Sequence, residues 1–96
     1  MSAKLYYDGV SKLRAHTGNL CCDELREILI SIGFEVRDGR RGGHKIFTHD
    51  GLPSFYSGSF NCGHGRNPEI KRAYISKIIR ILENHEVELL EYLKEK

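Results

Sequence analysis

The residues best suited to chemistry lie together between Phe34 and His49, in the run Phe34-Glu35-Val36-Arg37-Asp38-Gly39-Arg40-Arg41-Gly42-Gly43-His44-Lys45-Ile46-Phe47-Thr48-His49. Two short segments with strand character, Phe34–Arg37 and 44–49, flank a turn rich in glycine and arginine. The turn gathers Arg37, Arg40, Arg41 and Lys45 around two glycines. Gly42 and Gly43 have no side chain to keep a ligand from the main chain, and their N–H groups are unobstructed. An imidazole follows at once, in cationic surroundings. Cations, bare N–H groups and an imidazole can hold a phosphodiester and move a proton beside it. The plainer account of such a stretch is a solvated hairpin turn that happens to contain a histidine. A strand period of two places His44, Ile46 and Thr48 on one face and Lys45, Phe47 and His49 on the other.

A chain of 96 residues makes one domain with a single modest core. No apolar run approaches the ~20 residues of a membrane span. Met1-Ser2-Ala3-Lys4 leads straight into mixed polar sequence without a signal peptide, so a cytoplasmic location is expected. Three cysteines, an odd number, argue against a disulfide framework and for buried or half-buried thiols. Zinc could be held by Cys21, Cys22, Cys62 and His64, but neither Cys21-Cys22 nor Cys62-x-His64 has the usual ligand spacing. No metal and no cofactor are expected.

The formal net charge of +2 hides an asymmetry. Between Arg37 and Arg80 nine Lys and Arg stand against three acids; after Arg80 five Glu stand against Lys94 and Lys96. A basic middle with an acidic end points to a polyanion contact on the former, the alternative being an ordinary salt-bridged surface.

The positioning elements follow from periodicity. Tyr6, Val10 and Leu13 predict a helix over 4–14, weakened by Gly9 and ended by His16-Thr17-Gly18-Asn19. A second helix carries the stripe Leu25, Ile28, Leu29 and Ile32, with Asp23 and Glu24 in its first turn and Gly33 as its stop. The hairpin comes next. After the turn Asp50-Gly51-Leu52-Pro53, a third strand is expected over 54–60, with Phe55 and Tyr56 on opposite faces. Residues 61–68 read as a loop. Asn67, Pro68 and Glu69 then predict the N-cap, first residue and first-turn acid of a third helix. Its buried stripe is Ile75, Ile78, Ile79 and Leu82, with Arg72, Ser76, Lys77 and Arg80 opposite. A final acidic helix is expected over 86–95, with Val87, Leu90 and Leu93 as its apolar positions. The expected fold class is α+β: a small three-stranded antiparallel sheet with helices packed on one face, leaving the other face to carry a site.

In this order the residues resemble the HicA family, the toxin half of HicAB toxin–antitoxin systems. The likeness runs from Leu25-x-x-Ile28-Leu29-x-x-x-Gly33-Phe34 through Gly42-Gly43-His44-Lys45-Ile46-Phe47-Thr48-His49. It ends in Gly63-His64 … Glu69-Ile70-Lys71 … Ile75-x-x-Ile78-Ile79. The usual central triplet is glycine–serine–histidine, of which glycine–glycine–histidine is a variant. The resemblance implies a single domain over 1–96 with a core about 20–84, a fold similar to the double-stranded-RNA-binding domain, and ribosome-independent cleavage of messenger RNA. It also implies a HicB-like antitoxin as partner and His44 as the catalytic residue. Three features depart from the common form: Lys45 stands where many members have a second histidine, Arg72 where many have proline, and the N-terminal helix and acidic tail are additions.

Cleaving RNA without a metal requires a base for the 2′-OH, an acid for the 5′-oxygen and donors for the charged phosphorane. An imidazole, with an ordinary pKa of ~6.5, can fill either proton-transfer role. His44 would take one of them. The Gly42 and Gly43 N–H groups, with Lys45 or Arg41, would stabilise the phosphorane. His64, in a glycine-flanked loop, is a better second proton carrier than His49. Arg40, Arg66 and Lys71 would follow the RNA backbone with little base specificity. Tyr56 offers a ring for stacking, although packing is the commoner fate of a strand tyrosine. The competing functions are an RNA-binding module that cuts nothing and a protein adaptor working through its acidic tail.

Overall fold

A computed structural model describes residues 3–63 and 65–94. The elements run α1 (Ala3–Ala15), α2 (Cys22–Ser31), β1 (Glu35–Asp38), β2 (His44–Thr48), β3 (Gly58–Asn61), α3 (Arg72–Asn84) and α4 (Glu86–Lys94). The strands form an antiparallel meander in the order β1-β2-β3, so the fold is α+β, as expected. None of the helices described is long and apolar enough to cross a membrane.

The predicted stripes of α2 and α3 are the ones that pack. Leu25, Ile28 and Leu29 of α2, with Ile32 just beyond it, and Ile75, Ile78, Ile79 and Leu82 of α3 are all buried. They share one core with Phe34, Phe47 and Phe60. Alternation along β2 buries Phe47 against the helices and leaves His44, Ile46 and Thr48 partly exposed on the other face. Gly33 ends α2 as predicted. It takes φ +107°, while its N–H donates to the Ile30 carbonyl and that of Phe34 to the Leu29 carbonyl. Only glycine adopts that geometry cheaply, and it turns the chain directly into β1. Gly9 serves packing: a Cβ there would sit 2.9 Å from Ile32 Cδ1, so α1 lies close against the end of α2.

Four expectations need correction. The third strand is Gly58–Asn61, not 54–60. The Phe55 N–H donates to the Leu52 carbonyl, closing a turn that sends the Phe55 ring inward to stack on Phe47. The third helix starts at Arg72 with Lys71 as N-cap. Asn67 instead takes φ +51° and accepts the Asp23 N–H at 2.9 Å, capping α2. Pro68 accepts the Cys22 N–H, and the Ile70 N–H donates to the Leu20 carbonyl. Residues 67–70 are therefore an extended strap along the start of α2. In α4 the buried positions are Leu89 and Leu93, whereas Val87 is 73% exposed.

The fourth correction concerns the thiols. Cys22 and Cys62, 40 residues apart, are joined by a disulfide with a Cα–Cα distance of 5.5 Å. It ties the end of β3 to the start of α2, alongside the strap. Cys21 is left as a free, half-buried thiol, pushed up in pKa by desolvation and the neighbouring Glu24 carboxylate.

Candidate functional site

The site begins with the β1–β2 hairpin. Asp38 and Lys45 form the last ladder pair before the turn. The Gly39 N–H donates to the His44 carbonyl at 2.8 Å, and the His44 N–H to the Arg41 carbonyl at 3.1 Å. These two bonds fix His44 at the mouth of the turn. Its imidazole lies over Gly39, where an added Cβ would collide with Nδ1. Gly39 thus leaves the space the ring occupies. In the sequence Gly39 is marked only as a third glycine in the turn.

On the other side His44 is paired with Asn61 of β3. The Asn61 Oδ1 accepts the Gly63 N–H at 2.7 Å, while the Cys62 N–H donates to the Gly43 carbonyl at 2.6 Å. Gly43 itself has φ +82°, and a Cβ on it would come within 2.6 Å of the Gly63 carbonyl oxygen. Both its torsion and its closeness to that loop require glycine. Gly42 has open space around it. Among the described residues the N–H groups of Gly42 and Gly43 have no acceptor.

Arg40 and Arg41 are exposed on the turn, and alternation puts Arg37, opposite Ile46, on the same face as His44. None of the three has a carboxylate partner among the described residues. Arg66, just before the strap, and Lys71, the N-cap of α3, are likewise exposed and unpaired among the described residues, and no hydrogen bond joins either to the turn. The structure therefore brings Arg40, Arg41, Gly42, Gly43 and His44 together and leaves Arg66 and Lys71 as separate exposed cations. His64 lies outside the described residues.

Lys45 is not brought beside the imidazole. It is on the opposite face, ion-paired with Asp38, and that hydrogen bond and charge hold the Asp38 carboxyl below its usual range. His49 is a core residue with 5% exposure. Its Nδ1 accepts the Gly51 N–H at 3.0 Å, which leaves Nε2, 3.1 Å from the Ile32 carbonyl, to donate. Phe34 and Tyr92 meet the ring edge-on, and burial pushes its pKa down, so it stays neutral. His85 bonds Glu88 at 2.9 Å near the α3–α4 junction, and His16 is exposed after α1. Among the described residues no three His, Cys, Asp or Glu side chains gather as metal ligands would.

Comparison with protein-family models, curated proteins and solved structures finds no match for this chain.

Proposed function

We propose that this chain is a HicA-like toxin: a cytoplasmic endoribonuclease that cleaves messenger RNA, with His44 transferring the proton, and that is held inactive by a HicB-like antitoxin. One observation carries the reading. His44 stands on the open sheet face at the mouth of a turn whose two unengaged N–H groups and unpaired arginines suit a phosphodiester. The helix–three-strand–helix order fits the double-stranded-RNA-binding-like fold that the sequence resemblance implies.

In this reading Arg40 and Arg41 draw in the phosphate, with Arg66 and Lys71 following the backbone further along. The Gly42 and Gly43 N–H groups meet the oxygens on which charge builds up as the 2′-oxygen attacks. His44 either takes the 2′-OH proton or donates one to the departing 5′-oxygen. Lys45, turned to the other face and bound to Asp38, takes no part.

The second reading is an RNA-binding module without catalysis. It is favoured by the lack, among the described residues, of another imidazole on the His44 face. Incubating the purified chain with mixed messenger RNA separates the two. Shortened product from the wild-type chain, with none from His44→Ala, supports the nuclease. Tight binding with intact RNA supports the module.

A further inference from the structure

The Cys22–Cys62 bond lies one hydrogen bond away from the candidate site. Cys62 follows Asn61, the ladder partner of His44, and its N–H donates to the Gly43 carbonyl at 2.6 Å. Gly43 packs on the same segment: a Cβ there would meet the Gly63 carbonyl oxygen at 2.6 Å and Asn61 Oδ1 at 3.0 Å. The backbone just before His44 is therefore seated on residues 61–63, and these are fastened to α2 by the disulfide. Among the described residues, the chain beyond Cys62 is next tied to α2 at Asn67 and Pro68.

We propose that the Cys22–Cys62 bond is a redox switch for the candidate site. Closed, it holds the Gly42–Gly43 turn and His44 in place. Opened by low-molecular-weight thiols, it lets residues 61–63 and the turn move apart. The switch acts on the proposed nuclease site and so rests on that reading. In a cytoplasm kept reducing, a disulfide is more often a transient, sensing bond than a permanent staple.

A small thiol has a route to the bond. Cys22 and Cys62 are 7% and 5% exposed, but a cavity of about 320 Å³ adjoins Cys22. Arg26, Arg37 and Lys45 line it and outnumber its two carboxylates, Asp23 and Asp38, which favours an incoming thiolate. That thiolate attacks the Cys22 sulfur, forming a mixed disulfide and releasing the Cys62 sulfur, which takes up a proton. A second thiolate attacks the outer sulfur of the mixed disulfide. The Cys22 sulfur leaves and is protonated, and the two small thiols depart joined as their own disulfide. They are oxidised and the protein bond is reduced; a low-molecular-weight disulfide closes it by the reverse steps. Cys21 stays out of the exchange, because desolvation and the Glu24 and Glu69 carboxylates keep its thiol protonated at neutral pH.

The test poises the full chain in buffers of graded thiol-to-disulfide ratio. It measures cleavage of mixed messenger RNA, helix content by circular dichroism, and hydrogen exchange of the Cys62 and His44 amides. Reduction should lower cleavage roughly ten- to a hundredfold, as expected for a catalytic group misplaced by about 1 Å. Helix content should hold while the Cys62 amide exchanges faster, and re-oxidation should reverse both changes in the site. Cys62→Ser should cleave as weakly as the reduced chain in every buffer, whereas Cys21→Ser should switch like wild type. Equal cleavage in the two states, or an unchanged Cys62 amide, overturns the switch. So does loss of helix on reduction, which would make the bond a structural staple only. No cleavage in either state, with both amides still responding to reduction, overturns the nuclease reading and upholds the coupling of the bond to the turn.

Discussion

The imidazole of His44 covers the α-carbon of Gly39, and a methyl group at that carbon would strike Nδ1. Gly39 is not among the glycines with positive φ, so alanine fits its backbone. Gly39→Ala should therefore keep the fold and displace the ring. Misplacing a catalytic group by about 1 Å can cost up to ~10²-fold. If the chain is the proposed nuclease, cleavage should fall roughly ten- to a hundredfold in Gly39→Ala, with an unfolding midpoint close to wild type. His44→Ala should fall further, by about 10²–10⁴-fold. Equal cleavage by Gly39→Ala and wild type would show that the ring position is immaterial.

His49→Ala should lose stability. Truncation to alanine leaves the Gly51 N–H and the Ile32 carbonyl without their partner in a buried site, at a cost of about 2–4 kcal/mol in urea unfolding. The pH dependence follows from its lowered pKa. Between that value and the ordinary ~6.5 the unfolded chain holds a proton that the folded one does not, so stability should drop as pH falls below ~6.5 and level off beneath the folded value. Unfolding curves at pH 7.5 and below 6 would reveal the drop. His16→Ala, exposed after α1, is the better distant control for cleavage.

Tyr6 makes the opposite prediction at high pH. Its hydroxyl is buried between the Leu82 carbonyl and the Glu86 carboxylate, each 3.2 Å away. Burial, reinforced by Glu86, pushes its pKa up to about 12. A raised pKa means the contribution is complete below ~10 and is lost as pH rises from there through the folded value. In a spectrophotometric titration, one of the five tyrosines should ionise well after the exposed ones, and Tyr6→Phe should abolish that late step.

Asn67 caps α2 from outside that helix, and it does so from a left-handed backbone conformation. Asn67→Ala should cost about 1–2 kcal/mol, from the lost cap and the strain together. Asn67→Gly should recover part of that by relieving the strain. Equal stability for the two variants would mean that only the cap matters.

These cases show what could be read along the chain. Gly33, the Leu25–Ile32 stripe and the alternation of β2 depend on near neighbours, and periodicity located them. Asn67-Pro68-Glu69 has the local pattern of a helix start, yet its partner is the N-terminus of a helix 44 residues earlier in the sequence. Ser54–Tyr56 has strand-like composition, but the Phe47 ring draws Phe55 inward, and a Cβ on Gly58 would collide with that same ring. The Cys22–Cys62 link spans 40 residues and leaves an odd cysteine over, so counting misled. In the candidate site, Arg40 to His44 are adjacent in sequence and could be read together. The contribution of Gly39 depends on a ring folded back across the turn, which spacing alone does not show.

Removing the Cys22–Cys62 bond should also be measurable. By the chain-entropy model a link across 40 residues restrains the unfolded chain by up to about 4 kcal/mol. A reduced or doubly serine-substituted chain should unfold at correspondingly lower urea. An unchanged midpoint would mean that the strap hydrogen bonds alone hold the two segments.

That bond has a topological consequence too. All three strands lie between Cys22 and Cys62, so the main chain there forms a closed covalent loop, with α1 leaving from one side and α3 from the other. Arg40 and Arg41 are exposed on the hairpin turn within that loop. A protease cutting after either one would open the circle without releasing a fragment. The nicked molecule would weigh one water more than the intact one and migrate as a single species until a thiol reductant split it in two.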